Sequence, residues 1–285
     1  MNGLLAQEPV VRMGAFVGIF VLMALWEVLA PRRDRSVGRG YRWLNNLAVV
    51  AVDAAVVRVL FPAAAVGTAL FVESRGWGLL PLLDVPYWLT LVVAVIALDF
   101  AIWAQHVLFH AVPLLWRLHR MHHADLDFDV TTGLRFHPIE ILLSMLIKAG
   151  VIVMLGAPAV AVLIFEVLLN ATSLFNHGNV RLPQRLDRVL RWLVVTPEMH
   201  RVHHSWYPNE TNSNFGFNLP WWDRLFGTYR AQPRDGHTAM TIGINLFRDP
   251  RELRLDRMLW QPFHDPIQSY PINARAEHPR TGSPS

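Results

Sequence analysis

The chain has 285 residues, a formal net charge of +4, 53% apolar and only 17% charged residues, 11 tryptophans and no cysteine. Soluble domains carry roughly 25% charged residues, so the composition and a mean hydropathy of +0.27 point to a membrane protein. Tryptophan favours the membrane–water interface. Without cysteine there are no disulfides, thiolate zinc sites, cysteine-ligated iron–sulfur clusters or thiol nucleophile, and the scattered arginines read as topology signals rather than a nucleic-acid surface.

The first apolar run, about 10–30, has close to the roughly 20 residues a membrane helix needs. It shows no small-residue cleavage site and is expected to stay as an anchor. The loop after it carries Arg32, Arg33, Arg35, Arg39 and Arg42, which places it in the cytoplasm by the positive-inside rule. A second span is expected over about 44–72, kinked at Pro62, and a third over about 86–103. Two crossings return the chain to the cytoplasmic side, where a histidine-rich segment, 104–139, begins.

A second apolar block, 141–175, is interrupted by Gly156-Ala157-Pro158, which breaks a helix. The expected result is a hairpin that enters and leaves the membrane on one side, whether or not it crosses fully. From about Arg181 the chain is polar enough to lie outside the bilayer. The expected architecture is all-α, a multi-pass membrane helical bundle with a cytoplasmic helical cap. Three segments are read: N-terminal spans over 1–85, a catalytic domain over 86–231 and a polar C-terminal tail over 232–285, whose last ten residues are expected to be disordered.

Ten of the 13 histidines fall between positions 106 and 204. His106 and His110 are spaced i, i+4; His119, His122 and His123 form one HxxHH unit, and His200, His203 and His204 form another. On a helix those spacings share one face, so each unit aims three imidazoles at one small volume. Eight imidazoles exceed what one metal binds, and two metals are implied. Any one of these histidines alone reads better as a solvated or core residue; the repeated units do not. Imidazole suits iron, zinc, copper and nickel alike, but hydrolytic zinc usually needs three protein ligands, and a dinuclear redox metal handling O₂ fits better.

Several ordered elements carry a resemblance. These are the run Asp99 to His110, Leu115 to His119, His122-His123, Thr132, Arg135-Phe136-His137-Pro138-Ile139-Glu140, Asn176-His177-Gly178-Asn179, Thr196 to His204, and Trp222 to Tyr229. Over about residues 90–230 the chain resembles the fatty acid hydroxylase superfamily, also called the sterol desaturase family. The resemblance implies a membrane-bound non-haem enzyme with two iron ions, zinc being a conceivable substitute. It would hydroxylate or desaturate an unactivated C–H bond of a lipid such as a fatty acyl chain or sterol, using O₂. Electrons would come from an external cytochrome b5-like or ferredoxin-like donor.

The implied ligands are His106, His110, His119, His122, His123, His177, His200, His203 and His204. His137 reads equally as a ligand or as a residue beside one. Where some relatives have a further HxxxH, this chain ends the pattern in Arg181, which cannot ligate. Asp99 and Asn176 are candidates to brace a ligating ring, with a headgroup-facing helix end as the alternative for Asp99. Glu166 and Asn170 fall on a polar stripe with Ser173 and His177 and are candidates to line a substrate channel; interhelical hydrogen bonding explains the stripe equally. His237, His264 and His278 lie outside every motif and read as surface residues. The metal site is placed on the cytoplasmic side, of the inner membrane in a bacterium. A zinc-dependent membrane hydrolase is the rival enzyme, and a metal carrier the rival without catalysis. The sequence leaves the lipid, the donor and the oligomeric state open.

Overall fold

A computed structural model of the chain describes residues 2–264; His278 and the last ten residues lie outside them. The described residues are helical, with two isolated β-bridges, Pro31 to Val180 and Ser205 to Ile242, and no strand. In chain order the first helices are α1 (Asn2–Ala6), α2 (Glu8–Leu29), α3 (Arg39–Leu60), α4 (Ala64–Arg75), α5 (Tyr87–Ala111), α6 (Pro113–His123), α7 (Pro138–Leu155) and α8 (Ala159–Asn176). The cap follows with α9 (Gln184–Leu190), α10 (Pro197–His203), α11 (Pro208–Thr211), α12 (Trp221–Leu225), α13 (Gly236–Ala239) and α14 (Leu255–Trp260). Five candidate spans, 8–29, 39–82, 87–111, 138–155 and 159–176, are long and apolar enough to cross a membrane. This is a membrane helical bundle.

The boundaries have local causes. Pro62 does more than kink the second span. It lacks an N–H and pushes the residue before it out of the helical region; Phe61 sits at φ −131°, ψ 63°, and α4 folds back to pack on α7 and α8. α5 runs two turns past the expected end because nothing breaks it before Pro113, and those turns carry His106 and His110. The hairpin forms where expected: α7 stops at Gly156 in the left-handed region (φ 67°), and Pro158 caps α8. A Cβ on Gly78 would lie 2.0 Å from the Gly156 nitrogen, so the turn after α4 closes on the hairpin tip, with Leu79 N–H donating to Met154 O at 3.1 Å.

At the other end, the arginine loop is part of the scaffold and not only a topology signal. Arg42 is fully buried, donates to Asp125 through Nε at 2.8 Å and Nη2 at 2.7 Å, and also binds Asp129. Arg32 Nε donates to Glu198 Oε1 at 2.8 Å. Glu27 Oε1 accepts from the backbone N–H of Val130 and of Asn179, each at 2.7 Å. The first two membrane helices are thereby tied to the loop 124–137. The polar stretch after residue 231 also packs on this end, with Arg120 Nη2 donating to Gln261 O at 2.7 Å. His264 is exposed as expected, whereas His237 is buried, with Nε2 2.9 Å from Glu198 Oε2.

Candidate metal centre

Four segments deliver the histidines. His106 and His110 come from the end of α5, His119, His122 and His123 from α6, His177 from the residue capping α8, and His200, His203 and His204 from α10 and its cap. The side chain of Thr196 accepts from Met199 N–H at 3.3 Å and starts α10, with Pro197 at the first helical position where its missing N–H costs nothing. All nine rings are buried.

They separate into two groups. His106, His110, His119, His123 and His203 form one, and His122, His177, His200 and His204 the other; within each, one ligand atom per ring lies within 4.8 Å of every other. Close pairs are His106 Nε2 to His119 Nε2 at 3.0 Å, His106 Nε2 to His203 Nε2 at 3.1 Å, His200 Nε2 to His177 Nε2 at 3.1 Å and His122 Nε2 to His177 Nε2 at 3.3 Å.

The partners of the other ring nitrogens fix what these contacts are. His106 Nδ1 donates to Phe215 O at 2.7 Å, His203 Nδ1 to Ser213 O at 2.7 Å and His177 Nδ1 to Ser173 O at 2.8 Å. A carbonyl can only accept, so each Nδ1 carries the proton and each Nε2 presents a lone pair. His106 and His203 therefore face each other lone pair to lone pair with no hydrogen between. That arrangement is repulsive unless a cation lies between the rings. Two imidazole nitrogens on one ion at about 2.1 Å and at right angles would be about 3 Å apart, which is the spacing seen. Burial also holds the rings neutral: His119 and His177 are pushed down to about 3, and His122, His123, His200, His203 and His204 well below the ordinary histidine range. His110 Nε2, His123 Nε2 and both nitrogens of His204 have no hydrogen-bond partner among the described residues. The donor set fits metal ions.

His137 belongs to neither group. Its Nδ1 accepts from Ile139 N–H at 3.2 Å, capping α7, and its Nε2 lies 3.2 Å from Leu259 O. Asp99 and Asn176 do not touch a ligating ring either. Asp99 accepts from Trp222 Nε1 at 2.7 Å, and Asn176 Nδ2 donates to Phe217 O at 3.0 Å. Asp99 is seven residues before His106, about 10 Å along the helix, and is engaged by the cap before it can reach an imidazole.

Bracing falls to two carboxylates that the sequence does not assign to that role, Asp223 being read there as packing the cap. Glu140 Oε1 accepts from His119 Nδ1 at 2.6 Å. Asp223 accepts from Phe215 N–H at 2.9 Å and Gly216 N–H at 2.8 Å, and from Trp103 Nε1 at 3.1 Å, so it holds the carbonyl that receives His106. Both sit inside the elements carrying the resemblance; the backbone carbonyls left no sequence signal at all.

A cavity of about 370 Å³ opens from His106 and His119 between the membrane helices, past Phe136, Glu140 and Ser173, to Asp53, Lys148, Glu166, Asn170 and Arg12. The two channel candidates, Glu166 and Asn170, are on its wall. Lys148 Nζ donates to Glu166 Oε1 at 2.8 Å, so the two charges on this wall are paired.

Residues 91–228 match the family model described as fatty acid hydroxylase. The match covers just under half of the chain, and over those residues the chain is similar to that family. The chain is 29% identical, over 80% of its own length and 69% of the other, to ornithine lipid hydroxylase OlsE of Rhizobium tropici. It is 26% identical to alkylglycerol monooxygenase of Xenopus tropicalis over 66% of this chain and 42% of that one. Identity to cholesterol 25-hydroxylase of Rattus norvegicus is 26%, over 50% of this chain and 47% of the other. The chain thus spans less than half of the last two. No solved structure matches. The family match and these hydroxylase and monooxygenase relatives indicate an oxidoreductase, and they lend no support to a zinc hydrolase.

Proposed function

We propose that the protein is a di-iron lipid hydroxylase whose substrate lies in the cavity between the membrane helices. The observation that carries this reading is the set of Nε2 lone pairs converging at about 3 Å beside that cavity. His106, His110, His119, His123 and His203 would hold one iron, and His122, His177, His200 and His204 the other. Residues 86–231 form the catalytic domain in this reading, since they contain all nine. Zinc would accept the same nitrogens, but the relatives' oxygenase chemistry calls for a redox metal. Bound iron supplies the reaction with O₂ that breaks an unactivated C–H bond.

The chain's own part is position and exclusion of water. The Phe215, Ser213 and Ser173 carbonyls and the Glu140 carboxylate keep protons on Nδ1 and so keep Nε2 free to ligate. The cavity wall of Phe16, Val50, Ala54, Val57, Ile102 and Phe109 presents apolar surface to an alkyl chain. The relatives act on an ornithine lipid, an alkylglycerol and cholesterol, so the substrate class is an amphipathic lipid whose apolar part reaches His106 and His119. Whether the product is an alcohol or an alkene is set by how that part lies. Electrons come from a separate cytochrome b5-like or ferredoxin-like protein. The arginine loop 32–42 lies at the metal end of the bundle, and the positive-inside rule puts that end in the cytoplasm.

The test is metal content and Mössbauer spectroscopy on protein from iron-fed, zinc-limited cells, followed by turnover with ¹⁸O₂ and a reductant on vesicles of lipid extract. Near two irons per chain and ¹⁸O in a lipid product are expected. Zinc alone, with O₂-independent turnover, would overturn the proposal.

A further inference from the structure

The polar side chains on the cavity wall are unbalanced in one direction. The donors are engaged. Lys148 Nζ donates to Glu166 Oε1 at 2.8 Å, and Arg12 Nη1 lies 3.1 Å from Glu166 Oε2 and 2.7 Å from Glu8 Oε1. Gln105 Nε2 donates to Ser144 Oγ at 3.0 Å, and Asn170 Nδ2 to Glu166 O at 2.8 Å. The acceptors are not. Asp53 Oδ1, Gln105 Oε1 and Glu140 Oε2 line the same cavity, are buried, and have no hydrogen-bond partner among the described residues. Asp53 is 9% exposed and Glu140 4%. A buried polar atom left without a partner is costly, and most such atoms mark a ligand or an ordered water.

We propose that the substrate carries a hydrogen-bond-donating polar group, a hydroxyl or an ammonium, and that Asp53 receives it. The wall discriminates against an anionic group. Both cations already contact Glu166, so a carboxylate or phosphate would have to compete with that carboxylate while approaching the oxygens of Asp53 and Glu140. A donor group instead supplies the partner these acceptors lack. Asp53 is then a specificity residue: it touches the substrate's polar end, while the apolar chain extends to His106 and His119. This deepens the substrate assignment above and rests on the reading of the cavity as the lipid site.

The experiment measures binding, not turnover. Full-length protein in nanodiscs is titrated with hexadecan-1-ol, hexadecylamine, hexadecyl methyl ether and palmitate, and the shift in Tm gives the relative affinities. The alcohol and ether have the same apolar chain, but only the alcohol donates. The alcohol or the amine is expected to bind about tenfold or more tightly than the ether, the better of the two naming the group. Asp53→Leu should bring alcohol and ether together, while Asp53→Asn, which retains an acceptor oxygen, should keep most of the difference. Equal binding of alcohol and ether by the unsubstituted protein, or tightest binding of palmitate, overturns the proposal even where Asp53→Leu does not fold. Because no turnover is needed, discrimination without oxidation of any lipid would sink the hydroxylase reading alone, and oxidation without discrimination would sink this one alone.

Discussion

The two histidine groups are built differently. In the group of five, rings are oriented by hydrogen bonds: His106 to Phe215 O, His110 to Asn212 Oδ1 at 3.2 Å, His119 to Glu140 and His203 to Ser213 O. In the group of four fewer rings are held this way, His177 by Ser173 O at 2.8 Å and His200 by the Asn214 backbone, and packing takes over. His122 stacks on Phe136 with centroids 4.4 Å apart and planes 12° from parallel, and Phe128 lies 5.1 Å from His204 and 5.6 Å from His177. A Cβ on Gly133 would come within 2.9 Å of His177 Nδ1, so the loop 124–137 presses directly on this group. A directed hydrogen bond fixes tautomer and ring angle together; a packed face fixes the ring plane but not the proton. The lesson is that one ion should be held by a preformed cage and the other by a cage that depends on its neighbours.

The comparison is broken most directly by removing one ligand from each side. His203→Ala should empty the five-histidine site and His122→Ala the four-histidine site, each lowering iron from near two to near one per chain and turnover to background. Loss of both ions in either variant, read by metal analysis, would show that the groups are not separate sites.

The next largest effect tests the packing side. Arg42→Met leaves Asp129 buried without its cation and Asp125 with only the more distant Arg135, 3.7 Å away, and breaking a buried pair in this way costs about 3–5 kcal/mol. Burial alone would raise the Asp125 carboxyl, but the Arg42 guanidinium outweighs it and holds that carboxyl below the usual range. A depressed folded-state value means that the stabilisation is in place above about pH 4 and is lost as pH falls below it. Denaturant unfolding of the parent at falling pH should show this loss, and the variant should show less of it.

Glu140→Gln sharpens the hydrogen-bonding side. It keeps the shape but weakens the acceptor for His119, and loss of such a partner typically lowers metal affinity 10–100-fold. Competition with a chelator should show the loss for one ion only. Phe136→Leu is the smallest test. It removes a stacked face worth about 0.5–1.5 kcal/mol, so the four-histidine ion should dissociate up to about tenfold more readily while the other ion is unaffected.

Much of this was legible in the residues. The apolar runs gave the spans to within a few residues at their starts, because length and hydropathy alone decide what fits a bilayer. The errors were at proline. Pro62 separates α3 from α4 instead of bending one helix, and α5 continues to Pro113, since a helix stops where its hydrogen bonding is interrupted and not where its hydropathy falls. The i, i+3, i+4 spacings put three imidazoles on one face of α6 and of α10. They could not say which imidazoles share an ion: His122 and His123 are adjacent in sequence and fall in different groups.

The sequence by itself determined a cysteine-free membrane bundle with histidine units at metal-binding spacing, because hydropathy and helical periodicity are local properties of the chain. Only the tertiary structure decided the division into two groups, the choice of Glu140 and Asp223 over Asp99 and Asn176 as braces, and the one-sided polar wall of the cavity. Each of those depends on contacts between residues far apart in the chain: Trp222 with Asp99, the Phe215 carbonyl with His106, Arg42 with Asp125. Such contacts follow from how the helices pack, and no local pattern encodes which distant partner a side chain will meet.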